Sequence, residues 1–350
     1  MQRDRGGARA PLVELTLARL REFVREPEAL FWTFVFPVLM SLALAFAFPG
    51  RNAPVLIALA PGPGYESARQ ALAAEPGVTL REVPPAGEAE ARALREGEVH
   101  LVVVPVTPPT YRFDPARAES RVARLVADAA LKRAEGRVEP WTAREEPVAI
   151  AGSRYVDWLI PGIIGMNIMG TGMWGLGFSI VTARMKNLLK RLVASPMRRG
   201  DYLLAQVLAR MMFLVPEVAV PLGFGALALG MPINGSWINI VVVATIGALA
   251  FGALGLLAAS RARTFESISG LLNITMLPMW ILSGVFFSAS NFPEAIQPVV
   301  QALPLTALVD ALRAVVLDNA SLGAIRDELL LLSAWTVVPF AAALRLFRWR

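Results

Sequence analysis

The chain has 350 residues, 55% of them hydrophobic and only 18% charged, with 34 Lys and Arg against 28 Asp and Glu. That charged share falls well below the ~25% usual for soluble domains, so an ordinary soluble globular protein is excluded. Cysteine is absent and histidine occurs once, at His100, which excludes disulfides and a multi-histidine metal site within one chain.

Residues 1–10 are polar. From Pro11 to Glu28 the apolar residues Val13, Leu17, Leu20 and Val24 recur at helical spacing, with Arg19, Arg21 and Arg25 around the remainder. That is an amphipathic helix suited to a membrane interface. The run ALFWTFVFPVLMSLALAFAF, 29–48, follows as the first span. Ala45-Phe46-Ala47 resembles a small-x-small cleavage site, but the preceding region is itself helical, so an uncleaved span is expected.

Residues 50–157 change character, with 14 basic and 15 acidic residues interspersed among many prolines. VLIALA, VTLREV and VHLVVV read as strands, with helices at YESARQALAA and GEAEARALREG between them. A fourth strand near TYRF and a helix through 120–133 complete a small α/β domain. No glycine-rich phosphate loop stands at a strand–helix turn, and His100 is expected only to fill its strand.

Further spans are expected at 158–183, 203–229, 237–259, 267–288 and 328–346. The predicted fold is an α-helical integral membrane protein of six transmembrane helices, with the α/β domain inserted between helices 1 and 2 and 158–347 holding helices 2–6. Basic residues crowd the segments 1–28, 184–200, 261–266 and the tail. The positive-inside rule makes those cytoplasmic, both termini included, and the insert extracytoplasmic. The net charge of +6 is then a topology signal, not an argument for nucleic acid. The strong preference for Arg over Lys, with high Ala and Pro, hints at a GC-rich bacterial genome and so at a bacterial inner membrane.

Span two holds Thr171, Gly175, Ser179 and Ala183, small residues every four positions that let helices approach closely. Packing within one chain and a dimer or pore-lining seam both account for them. Arg210 and Glu217 in span three lie two turns apart on one face, with Glu217 between Pro216 and Pro221. Each charge costs about 2.5–3.5 kcal/mol to place in a span. Arg210, near the inner end, can snorkel. Glu217 is deeper: a structural polar contact, to Arg210 or a neighbouring helix, or a role in a translocation path or gate, the same alternatives as for Asn273; Asn167, one turn before the small-residue stripe, is a further candidate for that path or gate. The stretch 289–326 is too polar to span and too apolar for a loop, which suits a short re-entrant or surface-lying helical pair. Within it Asp310 and Arg313 can pair locally.

Three of these stretches resemble the type-2 permease family of ATP-binding-cassette (ABC) exporters. REPEALFWTFVFPVLM is similar to that family's interfacial helix and proline-containing first span. LLKRLVASPMRRGDYLLAQVLAR is similar to its cytoplasmic segment with a Ser/Thr-Pro step. SGVFFSASNFPEAIQPVVQALPLTALVDALRAVVLD is similar to its extracytoplasmic hairpin, with Pro304 in a Pro-Leu-Thr step and Asp310 to Arg313 one residue tighter than the family's pattern. The chain departs from the family at Arg184-Met-Lys-Asn-Leu-Leu, where many members carry an acidic, Gly-Thr-containing segment.

The resemblance implies a half-transporter. Two permeases, as a homodimer or with a related partner, would pair with separate ABC ATPase subunits. The surface 184–200, with Lys190, Arg191, Ser195, Pro196 and Arg198, would couple to the ATPase. ATP and magnesium would be held by that partner, and this chain would bind no cofactor. The substrate would be amphipathic or hydrophobic: a drug, lipid or lipopeptide. The rival reading is a membrane-anchored assembly or sensing protein whose external domain binds a ligand or partner. A third, an ion-coupled carrier using Glu217, would need inverted repeats, and the two halves of the sequence show none.

Overall fold

The structure, a computed structural model, describes residues 10–47, 54–82, 87–136, 154–188 and 199–346. The chain divides into two compact units: residues 49–149, and the remainder on either side. The remainder opens with α1 (Ala10–Val24) and α2 (Pro27–Ala47), the latter carrying a π-helical turn at Phe31–Val35. On α1, Val13, Leu17 and Val24 are exposed, which leaves them free to enter a bilayer. Phe23, one residue before Val24, turns toward the bundle, its ring 4.1 Å from that of Phe213.

The 49–149 unit is a four-stranded sheet with helices on both faces. Its elements run β1 (Val55–Leu59), α3 (Tyr65–Ala73), β2 (Val78–Arg81), α4 (Glu88–Glu96), β3 (Leu101–Val104), β4 (Thr110–Arg112) and α5 (Ala118–Ala134). The strand order is β2-β1-β3-β4, parallel except for β4. Because side chains alternate along a strand, Ile57, Leu59, Leu101 and Val103 meet α3 and α5, while Ala58 and Val102 meet Ala93 and Leu94 of α4. His100 joins this ladder: its backbone N–H donates to the Leu56 carbonyl at 2.8 Å, and its ring Nδ1 accepts from the Leu56 N–H at 3.2 Å. Burial holds its pKa below the usual 6.5.

After the insert come α6 (Tyr155–Met185), α7 (Arg199–Leu229), α8 (Trp237–Ala259), α9 (Phe265–Leu282), α10 (Glu294–Ala302), α11 (Pro304–Asp318) and α12 (Arg326–Leu346). Among the described residues six helices are long and apolar enough to cross a membrane: α2, α6, α7, α8, α9 and α12. Helix α8 is the centre of the bundle, packed against α6, α7, α11 and α12. Its side chains from Ile240 to Ala259 are the most buried of any span. Helices α10 and α11 meet at an 82° bend at Leu303, which has extended backbone, and Pro304 begins α11 at N1, where a missing N–H costs nothing.

Two expectations are corrected. The fifth span ends at Leu282 rather than 288, because Gly284 takes a left-handed φ of +74° that an L side chain adopts poorly. Within one chain, the four-residue stripe of α6 is not a single packing seam. Gly175 is exposed, with nothing within 4 Å of where a Cβ would sit. The close approach is made at Gly172 instead, where a Cβ would lie 2.9 Å from the Cβ of Phe251 on α8.

Candidate functional site: a buried polar junction of three helices

Span three alone would place two charges in an apolar bundle. The fold instead closes them on each other. An Arg210 Nη1 N–H donates to Glu217 Oε2, and the two side chains are 8% and 0% exposed. Arg210 therefore does not snorkel as expected. Its other amino group donates to the Ile168 carbonyl at 3.4 Å.

Helix α6 supplies the remaining partners. Thr171 Oγ1 lies 2.6 Å from Glu217 Oε1 and 2.9 Å from the Asn167 carbonyl; with one proton, it donates to one of the two. Asn167 Nδ2 donates to the Thr33 carbonyl on α2 at 2.8 Å. The junction thus ties α2, α6 and α7 together through one connected set of hydrogen bonds.

Local backbone makes this possible. Thr33 sits in the π turn of α2, and Thr171 begins the second π turn, Thr171–Gly175 of α6. A π turn shifts the hydrogen-bond ladder by one residue and rotates the following face. Pro216 and Pro221 remove the N–H groups that would bond the carbonyls of Met212 and Glu217, loosening α7 on either side of the carboxylate. Arg210 Nε remains buried without a hydrogen-bond partner among the described residues. Such a junction is costly to disturb and has few alternative arrangements.

The other expected residues fall elsewhere. Asn273, on α9, is exposed, outside the junction, on a face shared with Glu266, Gly270 and Trp280. Pro304 is buried at the α10–α11 bend. Asp310 and Arg313 do pair locally, at 3.6 Å. Arg313 reaches further than that pair: its Nε donates to the Trp158 carbonyl at 3.1 Å and its Nη2 to the Gly284 carbonyl at 2.7 Å. Its guanidinium carbon also stacks 3.5 Å from the centre of the Trp158 ring. It binds α11 to the start of α6 and to the turn that ends α9. The residues Lys190, Arg191, Ser195, Pro196 and Arg198 lie outside the described residues.

Two arginines to which the sequence alone assigned no structural role hold the ends of the bundle. Arg154 pairs with buried Asp157 at 2.7 Å and donates to the Leu229 and Gly230 carbonyls, closing the C-terminus of α7. At the far end of α6, Arg184 donates to the Ala259 carbonyl at 2.9 Å, the Ser260 carbonyl at 3.2 Å and the Ala262 carbonyl, closing the C-terminus of α8. A cation at a helix C-terminus was the available signal, but the partner helix is not adjacent in sequence.

Comparison with known proteins agrees with this architecture. The model of the ABC-2 type transporter family matches residues 131–317, more than half of the chain. Nodulation protein J of Bradyrhizobium diazoefficiens is 28% identical over 213 residues, covering 57% of this chain and 76% of that protein. The inner membrane transport permease YadH of Escherichia coli is 24% identical over 202 residues, covering 57% and 75%. The probable multidrug ABC transporter permease YbhR of Escherichia coli is 23% identical over 194 residues, covering 55% and 53%. With six candidate spans and a family match that takes in α6 to α11, including Asn167, Thr171, Arg210 and Glu217 but not Thr33, this chain belongs to the ABC-2 type transporter family, as a multi-pass membrane subunit.

Proposed function

We propose that the chain is the permease of an exporter driven by a separate ATPase subunit, moving an amphipathic or hydrophobic substrate such as a drug, lipid or lipopeptide out of the bacterial cytoplasm. The observation that carries the reading is a transporter-family membrane bundle in a sequence without the phosphate-loop pattern of an ATPase. A phosphate loop needs GxxxxGK[ST], and none of the three lysines, Lys132, Lys186 and Lys190, follows a glycine. The name of YbhR, a probable multidrug permease, supports the drug-like end of the substrate range.

In this reading both termini and the segment 184–200 face the cytoplasm and the 49–149 unit lies outside, as the distribution of arginine favours. The active form is a dimer of permeases. Asn273 supports this, because an exposed amide in a span is costly against lipid and is satisfied against a second helix. Closure of the ATPase on its nucleotide moves α6 and α7 through the coupling segment. The Arg210–Glu217 junction carries that motion to α2.

The test is co-purification. An affinity-tagged chain recovered from native membranes should retain an ATPase that carries GxxxxGK[ST], and Lys190→Glu, Arg191→Glu and Arg198→Glu together should release it. Retention by the triple variant would sink the coupling role. An external partner retained with no ATPase at all would favour a membrane-anchored assembly or sensing protein.

A further inference from the structure

Helix α11 is buried at every position from Pro304 to Leu312 except Asp310, whose side chain is 49% exposed. Val309 packs against Gly165 of α6, and Arg313 reaches the Trp158 carbonyl. Asp310 therefore lies between those levels, about one to three turns inside the end of α6. Its neutralisation is loose. Arg313 stands 3.6 Å away, an ionic contact beyond hydrogen-bond range, because its Nε and Nη2 are committed to the Trp158 and Gly284 carbonyls. Among the described residues no N–H or O–H donates to Asp310, and Glu328 of α12 is close enough to oppose its charge. One turn earlier on the same face is Thr306, 3% exposed, whose Oγ1 has no hydrogen-bond partner among the described residues. Residues at i and i+4 place their Cβ atoms about 5–6 Å apart, and helical side chains lean toward the N-terminus, which brings the carboxylate over the hydroxyl.

We propose that Asp310 and Thr306 recognise the ammonium group of a cationic amphipathic substrate; this rests on the export reading above and narrows its substrate class. An ammonium has three N–H donors and no acceptor. It can donate to the Asp310 carboxylate and the Thr306 hydroxyl at once, supplying the charge-assisted bond that one lacks and the partner that the other lacks. An anionic substrate would meet two carboxylates instead. Apolar surface for the rest of the molecule adjoins in the chain. Trp280 and Ile281, in the last turn of α9, and Leu330, two residues beyond Glu328, are exposed. In the proposed topology α6 begins on the outer side, so the site meets the substrate as it leaves. It is separate from the Arg210–Glu217 junction, which ties α2, α6 and α7.

The test uses the purified full-length chain in an uncharged maltoside detergent, with no ATPase or nucleotide. Failure here would leave ATP-driven export standing, and failure of export would leave the binding result standing. Fluorescence anisotropy follows two matched probes: dansylcadaverine, an amphipath with a primary ammonium, and its N-acetyl derivative, which is uncharged. The chain should bind the ammonium probe roughly tenfold more tightly. Asp310→Asn should abolish that preference. Asp310→Glu, which keeps the carboxylate, should retain it, which separates charge from a folding defect. Thr306→Val should weaken the ammonium probe roughly threefold without lowering the melting temperature, because it removes a hydroxyl that no described residue satisfies. Equal affinity for the two probes, or a preference that survives Asp310→Asn, would overturn the proposal. Phosphatidylethanolamine also carries a primary ammonium. Its displacement of the probe where phosphatidylcholine has no effect would overturn the substrate assignment in favour of a resident lipid, and failure to displace the probe would support the substrate.

Discussion

Replacing Glu217 with leucine tests whether the junction holds the bundle together. Its carboxylate is wholly buried and Arg210 is 8% exposed, so solvent cannot take over the lost partner. Removing one member of a buried pair leaves an uncompensated charge and costs about 3–5 kcal/mol. Hydrogen bonds between membrane helices average only about 0.6 kcal/mol, so the two cases are far apart. At roughly 2 °C per kcal/mol for a chain of this size, Glu217→Leu should lower the melting temperature by about 6–10 °C. The assay is thermal unfolding in detergent, followed by fluorescence of the 8 tryptophans. Arg210→Leu/Glu217→Leu removes both charges and should recover most of the loss, since apolar replacement of a whole pair is often neutral or stabilising. The resulting double-mutant cycle should give a coupling of more than about 1 kcal/mol. A single variant melting within about 2 °C of the parent, with no recovery in the double, would refute the buried pair. A double variant that is stable yet inactive in transport would place the pair in the moving machinery.

Arg313→Lys keeps the charge but loses the planar fork that reaches Trp158 and Gly284, so it should destabilise by about 1.5–3 kcal/mol; an unchanged melt would show that the Asp310 pair alone matters. Gly172→Val drives a side chain into Phe251 and should cost about 1–3 kcal/mol, whereas Gly175→Val, with open space around it, should be tolerated far better; equal effects would contradict the helix contact. His100 is the only histidine, so its imidazole resonances are unambiguous, and its titration should fall below 6.5 because burial disfavours the charged ring. The unfolded chain then takes up the proton first as pH falls. The stabilising contribution of the neutral ring is complete above about 6.5 and declines below it, and a measured pKa at or above 6.5 would contradict the Leu56 contact.

The spans were legible because each needs about 20 apolar residues, and α8 has little else. The shared face of Arg210 and Glu217 followed from helical spacing alone. Their partners did not. Which way Thr171 and Asn167 point depends on two π turns, and a single inserted residue in the ladder leaves no mark in composition. Arg313 read as one half of a local pair, since i, i+3 spacing is visible and backbone carbonyls more than 25 residues away are not. Ser179 and Ala183 belonged to a stripe by spacing, yet they line a cavity because α1 folds back across them. Asn273, grouped with Glu217 by residue type, separates from it because α9 turns that face outward.

The central claim is that this bundle moves substrate only when a separate ATPase turns over. Inside-out membrane vesicles containing this chain and the ATPase it co-purifies with should accumulate a fluorescent amphipathic drug when ATP and magnesium are added. Replacing the phosphate-loop lysine of the ATPase should abolish accumulation, and collapsing the proton gradient should leave it intact. Accumulation that persists without a working ATPase, or that disappears with the proton gradient alone, would contradict the account.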